Sequence, residues 1–457
     1  MGCYFPFFLA DSPWFFLIIP LNSLFLLASL LDGMKRFIFL FFMFSSSAFA
    51  KVSYNMIVDH NFSPFAGGED LLTAHKIIES LEDATTYPTK NPSTGALAVF
   101  WRLAELGLFW DPLNRIISTT QHEVFGHGYR IREMSSAHVK KYEINWPYPY
   151  SFNGIAGETV FTFDAKKATA AEMISITIGG FDAQEILAYQ LKMKWLATHQ
   201  VDPRAAELYI NSQQTLFLYA TAAVKDKMEV ETKNLNEDLF SSNDIQSYIR
   251  WLNLLYPNDK LTLSKIKTQS LLNLLDPFSI FSAYSWWHFV FTGKSMPLPT
   301  LHAGRFTYLP GFKVSLAPYG LEYYFENFFA LQDRPFYFYI KGGEHGKTGY
   351  WGAGFEMEQL CAWSGGTFGL KIDIWRQPQF LQPIRIASVI NNPSIAASSA
   401  LSKVDFGAAG SMIFRWQLGS GKFFYLYTEG GYKTKGYLPG YSLTRSVIWR
   451  VGLTTNF

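Results

Sequence analysis

The segment from Asp111 to Arg130, DPLNRIISTTQHEVFGHGYR, carries the residues best suited to chemistry. Asp111 as N-cap and Pro112 at the first helical position read as a helix start, and further along stand His122, Glu123 and His127, spaced H-E-x-x-x-H. Two imidazoles and a carboxylate are what a zinc hydrolase needs, ligands for the ion and a general base for water. On an ideal helix residues i and i+4 lie about 40° apart and can share one ion, whereas i and i+5 lie about 140° apart. Regular geometry therefore fails here, and the spacing predicts a single widened π-type turn, a distortion that concentrates at functional sites. Gly126, just before the second histidine, suits a helix distorted there. The plain alternative is two helix-face histidines beside a solvated glutamate.

HEVFGH resembles the HExxGH motif of dipeptidyl-peptidase III-type zinc metallopeptidases. The resemblance implies that His122 and His127 bind zinc and that Glu123 is the base. It spans six residues, and the second motif of that family, Glu-Glu-x-x-(Arg/Lys)-Ala-(Glu/Asp), is absent. A catalytic zinc holds three protein ligands, so a third is expected. The candidate stretch is IGGFDAQEILAYQ, where Gly179 and Gly180 precede Asp182 and Glu185. It is similar to the Gly-Gly-x-x-Ala-x-Glu helix that follows the His-Glu motif in membrane-bound AAA-type metalloproteases, where the third ligand lies elsewhere. Glu185 is preferred to Asp182, because a Glu on a helix packed across from the His helix is the gluzincin arrangement. With zinc bound, Glu123 would take a proton from water and return it to the leaving amine of a peptide or protein substrate. Tyr129 and Arg130 are either oxyanion stabilisers or an ordinary helix terminus. His75, His138, His199, His288, His302 and His345 stand alone and read as core or surface residues.

Helical patterning over 69–83, 95–109, 112–130, 168–199, 203–228, 243–256 and 269–292 supplies the elements that must position these groups. GIAGETVFTFD reads as a short hairpin between the third and fourth. From about Leu301 the texture changes to period-2 alternation. Val404, Phe406, Ala408, Gly410, Met412, Phe414 and Trp416 share one face, and Asp405, Ser411, Arg415 and Gln417 the other. Candidate strands are 303–309, 312–318, 320–330, 335–342, 347–360, 366–376, 403–418, 422–434 and 443–457. Two short early runs are taken as one, giving an antiparallel barrel of about eight, with 377–402 a long loop. The last strand puts Val447, Trp449, Val451, Leu453 and Thr455 on one face and ends on Phe457. It resembles the terminal strand of bacterial outer-membrane proteins, which implies lipid and the barrel assembly machinery as partners. A soluble β-sandwich uses the same alternation with the apolar face turned inward.

Residues 34–50, MKRFIFLFFMFSSSAFA, have the basic start, apolar run and A-x-A-like end of a secretory signal peptide. Met34 is then the initiator, and the apolar run within 14–31 is either an upstream extension or a membrane anchor. Cleavage after Ala50 leaves Cys361 as the one cysteine, which excludes an internal disulfide. The chain of 457 residues is 18% aromatic and 17% charged, against about 25% charged in an average soluble domain. Lys+Arg 39 nearly cancels Asp+Glu 37, so no field attracts polyanions and nucleic acid is disfavoured as a partner.

The expectation is an α+β protein in three parts. Residues 1–50 are leader, 51–295 a mainly helical, gluzincin-like zinc-hydrolase domain in the periplasm, and 300–457 a β-barrel in the bacterial outer membrane. A non-catalytic outer-membrane scaffold with a helical periplasmic domain is the second reading. A third is a helical inner-membrane protease spanning at 14–31 and 278–293.

Overall fold

The computed structural model describes residues 52–456 except 86–94, 152–155, 224–242, 257–259, 346–347, 379–383, 392–403 and 420–422, so the leader lies outside the described residues. The chain opens with strand β1 (Ser53–Asp59) and helix α1 (Pro64–Thr85). Helix α2 (Ala96–Glu105), a π segment (Leu106–Trp110), helix α3 (Asp111–Thr120), the π turn Gln121–His127 and helix α4 (Gly128–Arg132) follow without a break in helical φ/ψ. Asp111 is therefore not a helix start. Pro112 lies just past a widened turn, where the carbonyl its ring would strike is already displaced.

Strands β2 (Ala137–Ile144) and β3 (Gly157–Phe163) pair as a hairpin, so GIAGETVFTFD supplies its second arm. Helix α5 (Ala170–Thr198) is next, then β4 (Gln200–Val201), α6 (Ala206–Gln213), α7 (Thr215–Ala222), α8 (Asp244–Leu255), α9 (Leu263–Ser270), a 3₁₀ turn (Leu271–Leu275) and α10 (Pro277–Thr292). The short β5 (Met296–Pro297) pairs with β4, and β6 (Leu301–Ala303) leads into the long strands β7 (Phe306–Ala317), β8 (Gly320–Leu331), β9 (Arg334–His345), β10 (Thr348–Trp363) and β11 (Gly366–Pro378). Helix α11 (Ile386–Asn391), β12 (Val404–Gln417), β13 (Phe424–Lys433) and β14 (Ser446–Asn456) complete the chain.

The eight long strands β7–β14 correspond to the eight expected, and the runs 303–309 and 312–318 fall largely within the single β7. The sheet nevertheless has ten strands, in the order β1-β14-β13-β12-β11-β10-β9-β8-β7-β6. Its extra members are the three-residue β6 and β1, which pairs antiparallel with β14 from Ser53↔Asn456 to Asp59↔Arg450. No ladder joins β1 to β6 or β7, so the sheet is not closed by hydrogen bonds. Residues 53–59, expected in a separate helical domain, are part of the sheet, and the described residues belong to one compact unit.

Side chains alternate across the sheet in an inverted sense. Phe406, Met412, Trp416, Val447, Trp449, Val451 and Leu453 are exposed. The opposite face buries charge, and the charges pair, as charges removed from water must. Arg450 meets Asp59 at 3.1 Å and Glu429 at 2.8 Å, Lys341 meets Glu322 at 2.9 Å, and Lys371 meets Glu356 at 3.0 Å. Against that face lies α5, buried over most of its length, with its buried polar residues paired. Thr169 and Glu172 start it with a reciprocal capping box. Lys192 of α5 reaches Glu326 of β8 at 2.8 Å and Asp276 at 3.3 Å.

The two ends of the sheet differ. At one end the connections β11–β12 and β13–β14 span residues 379–403 and 434–445, beside the two-residue β7–β8 turn at 318–319. At the other, where β1 begins and β14 finishes, residues 332–333 and 364–365 make tight turns.

Candidate metal centre

The seven-residue π turn does what the spacing required. The rings of His122 and His127 lie 4.7 Å apart, with their Nε2 atoms at 3.0 Å. The turn lies against α5 at two glycines. A Cβ on Gly126 would meet the Gly179 carbonyl oxygen and Gly180 Cα at 2.7 Å, and one on Gly180 would come within 2.3 Å of His122 Nε2. No larger residue fits between histidine and helix.

Each imidazole is held by its other nitrogen. His127 Nδ1 lies 2.6 Å from the Ile176 carbonyl oxygen, which can only accept, so Nδ1 donates and Nε2 is the nitrogen left to take a proton or a metal ion. His122 Nδ1 lies 2.8 Å from Gln184 Oε1, and the amide is fixed in turn by Ser118 at 2.6 Å from its Nε2 and Thr215 at 2.6 Å from its Oε1. Both Nε2 lone pairs thus face the same point. Two such nitrogens 3.0 Å apart repel unless a cation lies between them.

The third group is Asp244, at the first turn of α8. Its Oδ2 is 3.1 Å from His122 Nε2 and 3.3 Å from His127 Nε2. Asn243 caps this helix through a bond from Gln246 N and so fixes the start that aims Asp244. Burial works against charge on both partners, but each outweighs it for the other. His127 is raised to about 9 by the Asp244 carboxylate, and Asp244 is held far below the usual carboxylate range by the two imidazoles. The site is built to hold positive charge. Donors about 2.0–2.1 Å from one tetrahedral ion lie about 3.3 Å apart, close to the spacing of these three atoms. Nε2, Nε2 and carboxylate oxygen is also a donor set that zinc accepts.

No family model, curated protein or solved structure matches this chain.

Glu123 is buried beside the two histidines and shares with them a cluster of donor atoms within 4.8 Å. Thr159 of β3 donates to its Oε2 at 2.7 Å and to its backbone oxygen at 3.0 Å. Tyr219 of α7 stacks on His122 at 5.4 Å, and Phe181 meets the edge of the pair. Beside them a cleft of about 480 Å³ is lined by Ser118, Gln184, Thr215 and Tyr219 and rimmed by Trp146 and Tyr148 of the β2–β3 connection.

The expected third ligand is not at this point. Glu185 pairs with Lys313 of β7 at 3.0 Å. Asp182 pairs with Arg130 at 2.7 Å and accepts from Tyr437 at 2.6 Å. Successive helical residues point about 100° apart, so when Gln184 faces His122 its neighbour Glu185 must face the sheet. Arg130 also donates to the Tyr441 carbonyl, which makes it a brace between the His helix and the β13–β14 connection rather than an oxyanion donor. His75 does not stand alone, since it lies with Glu79 and Asp202, although the guanidinium of Arg204 already lies 3.5 Å from Glu79. Asp244, Gln184 and Thr159 carry no signal of their own in the sequence. Asp244 reads as the usual acid in a helix's first turn, remote in the chain from the histidines.

Proposed function

We propose that His122, His127 and Asp244 hold a zinc ion and that the chain is a metal-dependent hydrolase, peptidase-like in its His-Glu motif, embedded in the bacterial outer membrane. The observation that carries this reading is the pair of fixed imidazoles, each giving away its Nδ1 hydrogen so that two Nε2 lone pairs and Asp244 Oδ2 converge within 3.0–3.3 Å. Such outer partners are what orient metal-binding histidines.

Zinc held by these residues would supply Lewis-acid polarisation of a carbonyl and a lowered pKa for bound water. The remaining work belongs to the chain. Thr159 holds Glu123 Oε2, leaving Oε1 to take the proton of the attacking water and hand it to the leaving amine. Tyr219 and Phe181 shield His122 from solvent, and the adjoining cleft admits an extended peptide or comparable substrate past Trp146 and Tyr148.

Membrane insertion is supported by the inverted sheet, with an apolar exposed face and a charged buried one, as transmembrane barrels have. In such barrels the tight turns face the periplasm and the longer connections face outward. The centre lies by the long connections, since Arg130 reaches Tyr441 and Tyr437 reaches Asp182. This reading therefore turns the catalytic end outward, where the sequence alone suggested the periplasm.

Zinc content and turnover of a fluorogenic peptide mixture test the proposal. About one zinc per chain is expected in wild type and Glu123→Gln, and none in His122→Ala or Asp244→Ala. Glu123→Gln should lose about 10²–10⁴-fold in kcat. Wild type that takes up no zinc overturns the metal site. Zinc with no effect of Glu123→Gln on any turnover leaves the ion structural and the protein a scaffold.

A further inference from the structure

A sheet that crosses a bilayer must satisfy every backbone group, and an open edge cannot. Both long edges here are met at several points by side chains from helices. On β1 the residues not paired to β14 alternate: Ser53 O accepts from Lys194 Nζ at 3.1 Å, Asn55 O from Thr73 Oγ1 at 2.7 Å, and Ile57 N donates to Asp70 Oδ1 at 2.6 Å. On β7 the half beyond β6 is met by Asn273 of the 3₁₀ turn, whose amide accepts from Val314 N at 2.6 Å and donates to Val314 O at 3.1 Å. An asparagine side chain thus stands in for the missing strand.

The helices that lie along this opening are apolar on their outer side. On α10, Ile280, Tyr284, Trp287 and Phe291 are all exposed and recur every three or four residues, which makes one stripe. Helix α10 has no charged residue, and its Ser282 and Ser285 point inward. Beside it α2 exposes Leu97, Phe100 and Trp101 and buries its one cation, Arg102, which donates to the Val290 carbonyl at 2.9 Å. No helix among the described residues is long and apolar enough to cross a membrane alone, so these are not ordinary spans.

We infer that α1, α2, the 3₁₀ turn and α10 close the wall between β1 and β7, and that the exposed stripes of α2 and α10 lie against lipid acyl chains, continuing the apolar exterior of the sheet. The occupant is lipid because the exposed stripe on α10 and the exposed face of the sheet are both apolar, and because part of each edge beneath is already bonded to helix side chains and offers no continuous ladder to another chain. The inference rests on the membrane reading above and goes beyond it, since it makes the wall a hybrid of strands and helices.

The test is collisional accessibility of nitroxide labels. The full chain, with Cys3 and Cys361 replaced by Ala, is reconstituted in phospholipid vesicles carrying single labels at Ile280→Cys, Trp287→Cys, Val451→Cys or Lys265→Cys. All four positions are exposed, so the labels leave the core intact. The expected result at 280 and 287 is a loss of collisions with an aqueous nickel chelate and retention of collisions with oxygen, matching 451 and opposite to 265. Chelate collisions at 280 and 287 with a lipid signal at 451 would overturn the hybrid wall while leaving the sheet in the membrane. Chelate collisions at 451 as well would sink the membrane reading itself. Loss of both quenchers at 280 and 287 would mean a second copy covers the stripe, which also overturns lipid as the occupant.

Discussion

At the residue scale the centre depends on which of two neighbours faces the histidines. Gln184 does and Glu185 does not, so Glu185→Gln should leave zinc content unchanged, whereas Asp244→Ala should abolish it; elemental analysis of the two purified variants decides between them. Gln184→Ala keeps all three ligands but frees His122 to turn, and zinc affinity measured by chelator competition should fall about 10–100-fold. His122, Glu123 and His127 were legible because they are local, six residues whose spacing already demands a distorted helix. Asp244 was not, since an acid after an asparagine cap stabilises any helix dipole and looks the same whether or not it meets a metal. Thr159 and Gln184 act through contacts that only the folded chain creates.

At the element scale, the close approach of the π turn to α5 is a packing constraint with a measurable cost. Gly180→Ala adds a methyl group 2.3 Å from His122 Nε2, so the turn must move outward. Overpacking of this kind costs about 1–3 kcal/mol in unfolding free energy, and metal binding should fail before folding does. Asn273→Ala strips the cap from Val314 and leaves a buried donor and acceptor unpaired; a loss of about 1–3 kcal/mol for each is expected, read from the shift of the denaturation midpoint. Most elements could be read from the chain. The expected helix 168–199 is α5 almost to the residue, because its capping box and its long stretch without proline are local signals. Alternation gave the long strands for the same reason. What failed was β1, a seven-residue strand ahead of a helical region, whose partner β14 is at the far end of the chain. Asp111-Pro112 failed in the opposite sense, as a start signal overridden by a helix already running.

At the scale of the whole molecule, the buried charges hold the sheet to its helical filling, and each is costly to orphan. Arg450→Leu leaves Asp59 and Glu429 without their shared cation, and a destabilisation of about 3–5 kcal/mol is expected in chemical denaturation. Orientation is open to a separate test. Tyr150, in the loop by the cleft, is exposed, and Asp333, in a tight turn at the other end, is half-buried beside His199. In intact cells a membrane-impermeant maleimide should label Tyr150→Cys, while Asp333→Cys should react only after the outer membrane is breached; the reverse pattern would turn the catalytic end inward. The open edges of the sheet could not be read from the sequence, since they depend on where distant ladders end.

The pairing of β1 with β14 also sets an order of events. The first strand among the described residues finds its neighbour only when the last is made, so its Met56 and Val58, exposed on the finished sheet, stay without that neighbour until synthesis is nearly complete. Ladders between such remote segments are slow to form, because loop closure is unfavourable before any contact offsets it. A late truncation that removes β14 therefore leaves β1 with one edge against α1 and nothing on the other.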